Sequence, residues 1–168
     1  MKRTLFFGSV GMMALIMASP SQTADKTKSE QAFDRLTSLK GEWKGETDGV
    51  KTTLIYTLTA DGSVLMERCR PEGGPEMITM FTVDGDHLIA THYCAAKNQP
   101  QMITSAITDA QKPLVFSIAR ITGLKSPGDF HNTGLTFTLE DTGQLTQIWT
   151  YESKSKKGTN TFHFTRTR

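Results

Sequence analysis

The chain has 168 residues, 37% of them hydrophobic and 21% charged, which after a short N-terminal segment is enough for one core and too little for two domains of ordinary size. Lys2 and Arg3 are two of its 19 basic residues, so the rest of the chain sets 17 basic residues (19 − 2) against 17 acidic ones. A neutral body lacks the positive field that gathers nucleic acid, and the one concentrated basic stretch, Lys154-Ser155-Lys156-Lys157-Gly158, has the make-up of a solvated hairpin tip.

Met1-Lys2-Arg3 is a basic start, Leu5 to Met17 an almost uncharged apolar run, and 18–24 a stretch with the small residues of a cleavage site. That order is the pattern of a secretory signal peptide, expected over 1–24, with 25–168 as a single exported domain, periplasmic or secreted. The apolar run is shorter than the ~20 residues that cross a bilayer, so no transmembrane segment is expected in the mature chain. No cysteine lies near the cleavage region to carry a lipid.

Thr27-Lys28-Ser29-Glu30 has capping-box spacing and precedes Ala32, Phe33, Leu36 and Leu39 at helical intervals, which predicts one short amphipathic helix. From Gly41 onward the pattern changes to period two, in runs rich in Thr, Val, Ile, Phe and Tyr separated by Gly, Pro, Asp and Asn. Strands are predicted near 42–48, 51–60, 63–70, 76–83, 87–94, 101–108, 113–121, 133–140, 144–152 and 159–167, with turns at Asp61-Gly62, Asp84-Gly85 and Thr142-Gly143. A meander of about ten strands leaves two raw edges if it stays open, so an all-β, antiparallel up-and-down barrel is expected, with a curved open sheet or sandwich as the other architecture.

Alternation assigns faces. Around Asp61-Gly62, Leu58 pairs with Leu65, Tyr56 with Glu67 and Leu54 with Cys69 on the apolar face, which sends Glu67 and Cys69 inward. Around Asp84-Gly85, Met77, Thr79, Phe81, Leu88, Ala90 and His92 share one face, and Ile78, Met80, Ile89, Thr91 and Tyr93 the other. If Cys69 and Met77 stand opposite each other, then Met77, Thr79, Phe81, His92 and Cys94 join Glu67 inside.

The segment Leu39-Lys40-Gly41-Glu42-Trp43-Lys44-Gly45, a helix end followed by Gly-x-Trp-x-Gly, resembles the first-strand motif of lipocalins, fatty-acid-binding proteins and nitrobindin-like barrels. A tryptophan there closes the barrel bottom and the glycines admit close backbone approach. The stretches 76–81 and 84–86, then Thr91-His92-Tyr93-Cys94 running into Asn98-Gln99-Pro100, and the final strands with Trp149 and with Phe162-His163-Phe164, are similar to a widespread group of uncharacterised exported bacterial proteins with a lipocalin-like, calycin-type barrel. The resemblance implies a fold, and a fold alone does not confer function.

The expected role is the binding of a small apolar or amphipathic molecule in the barrel interior, with Glu67, Met77, His92, Tyr93, Cys94, Asn98 and Gln99 as candidate contacts, because a polar pair inside an apolar pocket needs partners and a ligand can be one. On the structural alternative, Glu67 and His92 bond each other or Arg120, while Asn98 and Gln99 cap a tight loop. A hydrolase-type enzyme built on Cys94, His92 and Glu67 is a rival, weakened by the lack of an evident orienting group. A protein-interaction module presenting loops 71–75, 95–100 and 122–132 is another. No metal is expected, since the four histidines form no cluster of zinc-like spacing with the cysteines. Nor is a cofactor expected. The nitrobindin-like resemblance raises haem, with His131 or His163 as its ligand, but Phe162 and Phe164 turn His163 to solvent if they face the core. A Cys69–Cys94 disulfide suits an exported protein, yet the strand expected between them sets their α-carbons about 9–10 Å apart, and the pairing stays open.

Overall fold

The computed structural model describes residues 25–140, 143–154 and 156–167. The segment expected as a signal peptide, 1–24, lies outside the described residues, as do Thr142 of the third expected turn and Ser155 of the basic stretch.

The helix α1 spans Lys28–Thr37 and starts where the capping box places it: Thr27 Oγ1 accepts the Glu30 N–H at 3.2 Å and Glu30 Oε2 accepts the Thr27 N–H at 2.7 Å. Its buried side is Ser29, Ala32, Phe33 and Leu36. Ten strands follow: β1 Gly41–Thr47, β2 Val50–Thr59, β3 Val64–Pro71, β4 Met77–Asp84, β5 His87–Tyr93, β6 Gln99–Thr104, β7 Leu114–Thr122, β8 His131–Glu140, β9 Gln144–Ser153 and β10 Lys156–Arg166. Each pairs antiparallel with its sequence neighbours, and β1 pairs with β10, so the meander is a closed barrel. Closure removes both raw edges.

The closing seam explains the Gly-x-Trp-x-Gly motif. Gly45 stands opposite Phe164, and a β-carbon at Gly45 would collide with the His163 carbonyl oxygen. Gly41 has φ 122°, a value that glycine alone takes without strain. Between them Trp43 is buried, donates its indole N–H to the Leu39 carbonyl at 2.7 Å, and carries the Arg166 guanidinium 4.4 Å above its ring. Arg166 also donates to the carbonyls of Ser38 and Lys40. Arg35 donates to the carbonyls of Ala110, Gln111, Lys112 and Leu139, and Ser29 Oγ to that of Gly85. The helix is thereby fastened across one end of the barrel, which we term the floor. The lower interior is filled by Phe81, Phe116, Phe137, Leu54, Leu65, Leu88 and Leu145, with the Phe81 ring 5.9 Å from Phe116 and 5.8 Å from Phe137.

Two local expectations shift. The β4–β5 turn falls on Gly85-Asp86, one residue later than Asp84-Gly85, because Gly85 takes φ 56° and Asp84 still pairs with His87. Every face assignment survives, since Thr79 and His92, and Phe81 and Ala90, stand directly opposite each other. The strand expected over 101–108 is instead β6 at Gln99–Thr104. It ends where the Thr104 hydroxyl takes the Leu88 N–H at 3.0 Å, a bond that a backbone carbonyl would otherwise accept.

Candidate functional site

The upper half of the barrel, under the loops opposite the helix, holds a cavity of about 140 Å³ that opens partly to solvent. Strands β3, β4 and β5 bring Glu67, Cys69, Met77 and His92 to it, with Cys94 just past β5; β8, β9 and β10 bring Asn132, Gln147, Trp149, Asn160, Phe162 and Phe164, and Phe130 stands at the lip. The register decides this grouping. Cys69 opposes Met77, Glu67 opposes Thr79, and Thr79 opposes His92, so one inward row crosses three strands without a break.

A polar network sits at the base of the cavity. Glu67 is 1% exposed, and its Oε2 accepts the Tyr56 hydroxyl and a Gln147 amide N–H at 2.6 Å. The same amide nitrogen lies 2.9 Å from Tyr56 Oη, and Gln147 Oε1 accepts the Trp149 indole N–H at 2.9 Å. Indole is a donor only, so this last bond fixes which way the Gln147 amide points. On the other side, Thr79 Oγ1 lies 3.3 Å from Glu67 Oε1 and 3.0 Å from His92 Nδ1. His92 is 4% exposed, its ring lies 4.8 Å from that of Trp149, and its Nε2 has no partner among the described residues. A buried polar atom without a partner is uncommon and costs on the order of 1–3 kcal/mol.

Burial sets the electrostatics. No cation touches Glu67 among the described residues, so desolvation raises its carboxyl above the ordinary value even though Tyr56, Gln147 and Thr79 hydrogen-bond it. Tyr56 is pushed well above the usual phenol range by burial and by the Glu67 charge. Burial and Glu67 push the Cys69 thiol up to about 12, and burial pushes His92 down to about 4.

Of the residues singled out from sequence, Glu67, Met77, His92 and Cys94 meet at the cavity. Tyr93 is 48% exposed on the outer face, as its alternation with His92 requires. Gln99 lies at the start of β6, where its Oε1 accepts the Thr122 hydroxyl. Asn98 is buried in the lip: its carbonyl accepts the Cys94 N–H, which closes a tight loop, and its Nδ2 donates to the Phe130 carbonyl at 2.7 Å. Asn98 is therefore a loop clamp that holds Phe130 over the cavity. Arg120 is exposed and takes no part in the network, and Thr79 stands between Glu67 and His92.

Sequence reading passed over Tyr56, Thr79, Gln147 and Trp149 as site residues. Gln147 carried the clearest signal, a polar residue at an inward position between Leu145 and Trp149. Cys69 and Cys94 are unbridged. The Cys94 sulfur takes the Ala96 N–H at 3.5 Å, and no hydrogen bond joins it to His92 among the described residues.

Neither histidine raised as a haem ligand lines the cavity: His163 is exposed on the outer face against Thr146, and His131 Nδ1 lies 2.9 Å from the Asp129 carbonyl oxygen. Among the described residues no group of three or more His, Cys, Asp and Glu side chains is placed to hold a metal ion, and no helix is long and apolar enough to cross a membrane.

Fold and site together define an antiparallel up-and-down β-barrel with a helix-capped floor and a small, mostly apolar chamber below the opposite rim. Neither a scan against models of protein families nor a search of the curated proteins finds a match to this chain.

Proposed function

We propose that this barrel is an exported, non-enzymatic binding protein that holds a small apolar or amphipathic molecule in its upper chamber. The observation that carries the reading is His92: a buried imidazole nitrogen without a partner beside a cavity walled by aromatic rings, where a ligand can supply the missing hydrogen bond. Size narrows the choice. An apolar cavity of about 150 Å³ admits a benzene-sized molecule, so the part of the ligand that the barrel buries is compact. The catalytic alternative has less support, because Cys94 makes no hydrogen bond to a base among the described residues. The N-terminal pattern supports export to the periplasm or beyond.

Native mass spectrometry of the protein purified from its host's envelope, compared with the denatured mass, tests the reading, together with a toluene titration followed by tryptophan fluorescence. An extra mass lost on denaturation, or saturable quenching, supports it. Absence of both overturns it.

A further inference from the structure

The network below the cavity can be counted proton by proton, and the count bears on the ligand. Glu67 Oε2 already accepts two donors, from Tyr56 and Gln147, so any carboxyl proton belongs on Oε1. The chain from Oε1 through Thr79 Oγ1 to His92 Nδ1 contains two contacts, and Thr79 supplies one proton. The second must come from an end. With Glu67 ionised, Thr79 donates to Glu67, His92 Nδ1–H donates to Thr79, and Nε2 presents a bare lone pair. With Glu67 protonated, every bond reverses: Glu67 donates to Thr79, Thr79 donates to Nδ1, and Nε2 carries the hydrogen. The ionisation of Glu67 is thus written on the unpartnered imidazole nitrogen beside the cavity.

The surroundings choose between these states. Two converging donors on Oε2 suit a carboxylate, and the other titratable groups that face the network are Tyr56 from β2, Cys69 from β3 and Cys94 beyond β5, while β8, β9 and β10 bring only amides and aromatic rings. Among the described residues no Lys or Arg lines the chamber, so an anionic ligand would meet Glu67 with nothing to neutralise it. Aromatic walls favour a planar guest.

We infer that the chamber takes a compact, neutral aromatic molecule with one hydrogen-bond donor, an N–H heteroaromatic or a phenol, which donates to His92 Nε2 while Glu67 is ionised and Thr79 relays that state. The assignment rests on the binding role proposed above. It makes Glu67 and Thr79 positioning residues: they act through what His92 offers to a ligand.

Calorimetric titration with three near-isosteric probes separates the two claims: indole donates only, indene does neither, and 1-indanone accepts only. On the high-pH side of the Glu67 titration indole binds about tenfold tighter than indene, the size of one buried hydrogen bond, and the preference declines as the pH is lowered through that titration while indene affinity stays level. Glu67→Gln, whose amide N–H₂ faces Thr79, locks Nε2 in the donor form; it abolishes the indole preference and favours 1-indanone at every pH. Thr79→Val removes the relay and makes the indole-to-indene ratio independent of pH. Should a variant fail to fold, ¹⁵N NMR of the wild-type imidazole decides the same point, since Nε2 must change from bare to protonated as Glu67 takes up its proton. An indole-to-indene ratio near one at all pH values, or a tautomer that never changes, overturns the inference while the binding role stands. If none of the three probes binds, the inference falls, and the native mass and the toluene titration decide the binding role separately.

Discussion

Burial of His92 makes the barrel's stability depend on pH in a way that can be worked out and isolated. The imidazole titrates at about 4 in the folded protein against an ordinary value of 6.5, because charging it beneath the lip loops strips its hydration. Its contribution is complete above pH 6.5 and is lost progressively as the pH falls to 4, since over that interval the unfolded chain binds the extra proton. The gap between 6.5 and about 4 is worth about 3 kcal/mol, a large part of the ~5–15 kcal/mol that holds a domain of this size together. Glu67 slopes the other way: its folded value is raised, so its contribution is present at low pH and fades as the pH rises through that value. Urea unfolding of the wild type and of His92→Gln, measured from pH 7.5 to 3.5, separates the two, because Glu67 acts in both proteins and largely cancels in the difference. The stability gap should move by about 3 kcal/mol against the wild type on acidification, equivalent to roughly 1–3 M urea in midpoint. A gap that stays constant within about 0.5 kcal/mol would falsify the account of His92 as a buried neutral base.

Three further outcomes follow from particular contacts. Gly45→Ala places a methyl group against the His163 carbonyl and the Phe164 ring at the closing seam; a loss of about 1–3 kcal/mol or more is expected in thermal denaturation, whereas a neutral result would mean that the seam yields without strain. Thr27→Ala removes the helix cap and should cost about 1 kcal/mol, seen as faster amide hydrogen exchange over 28–37 with the strands unaffected. Cys69, held at about 12, should alkylate about a thousandfold more slowly at pH 8 than an ordinary thiol, as its thiolate fraction is lower by that factor; peptide mass spectrometry after iodoacetamide would detect any rapid labelling that contradicts this.

Residues 27–39 contain their helix outright, because a capping box and a repeat of apolar residues every three or four positions are local statements that the backbone obeys locally. The strands were legible for the same reason. Alternation over a few residues sent Leu54, Tyr56, Leu65 and Glu67 to the interior and Arg68 and Arg70 outward, and it separated His92 from Tyr93 before any strand was paired. Gly41, Trp43 and Gly45 announced a first strand that something approaches closely, though not that the partner would be β10, more than a hundred residues on.

What alternation cannot convey is register, for sliding one strand by two residues leaves every side chain on its own face. Asp84-Gly85 and Gly85-Asp86 are equally good turns by composition, yet only the second brings Thr79 opposite His92 and joins it to Glu67. Closure made the rest of the site. Gln147 reaches Glu67 across 80 positions in the chain, and Trp149 comes to rest on His92 only because β9 curves round to face β4 and β5. Side-chain periodicity is a property of neighbours along the chain and could be read directly; the chamber and its proton-counting network exist only between strands that meet when the barrel closes.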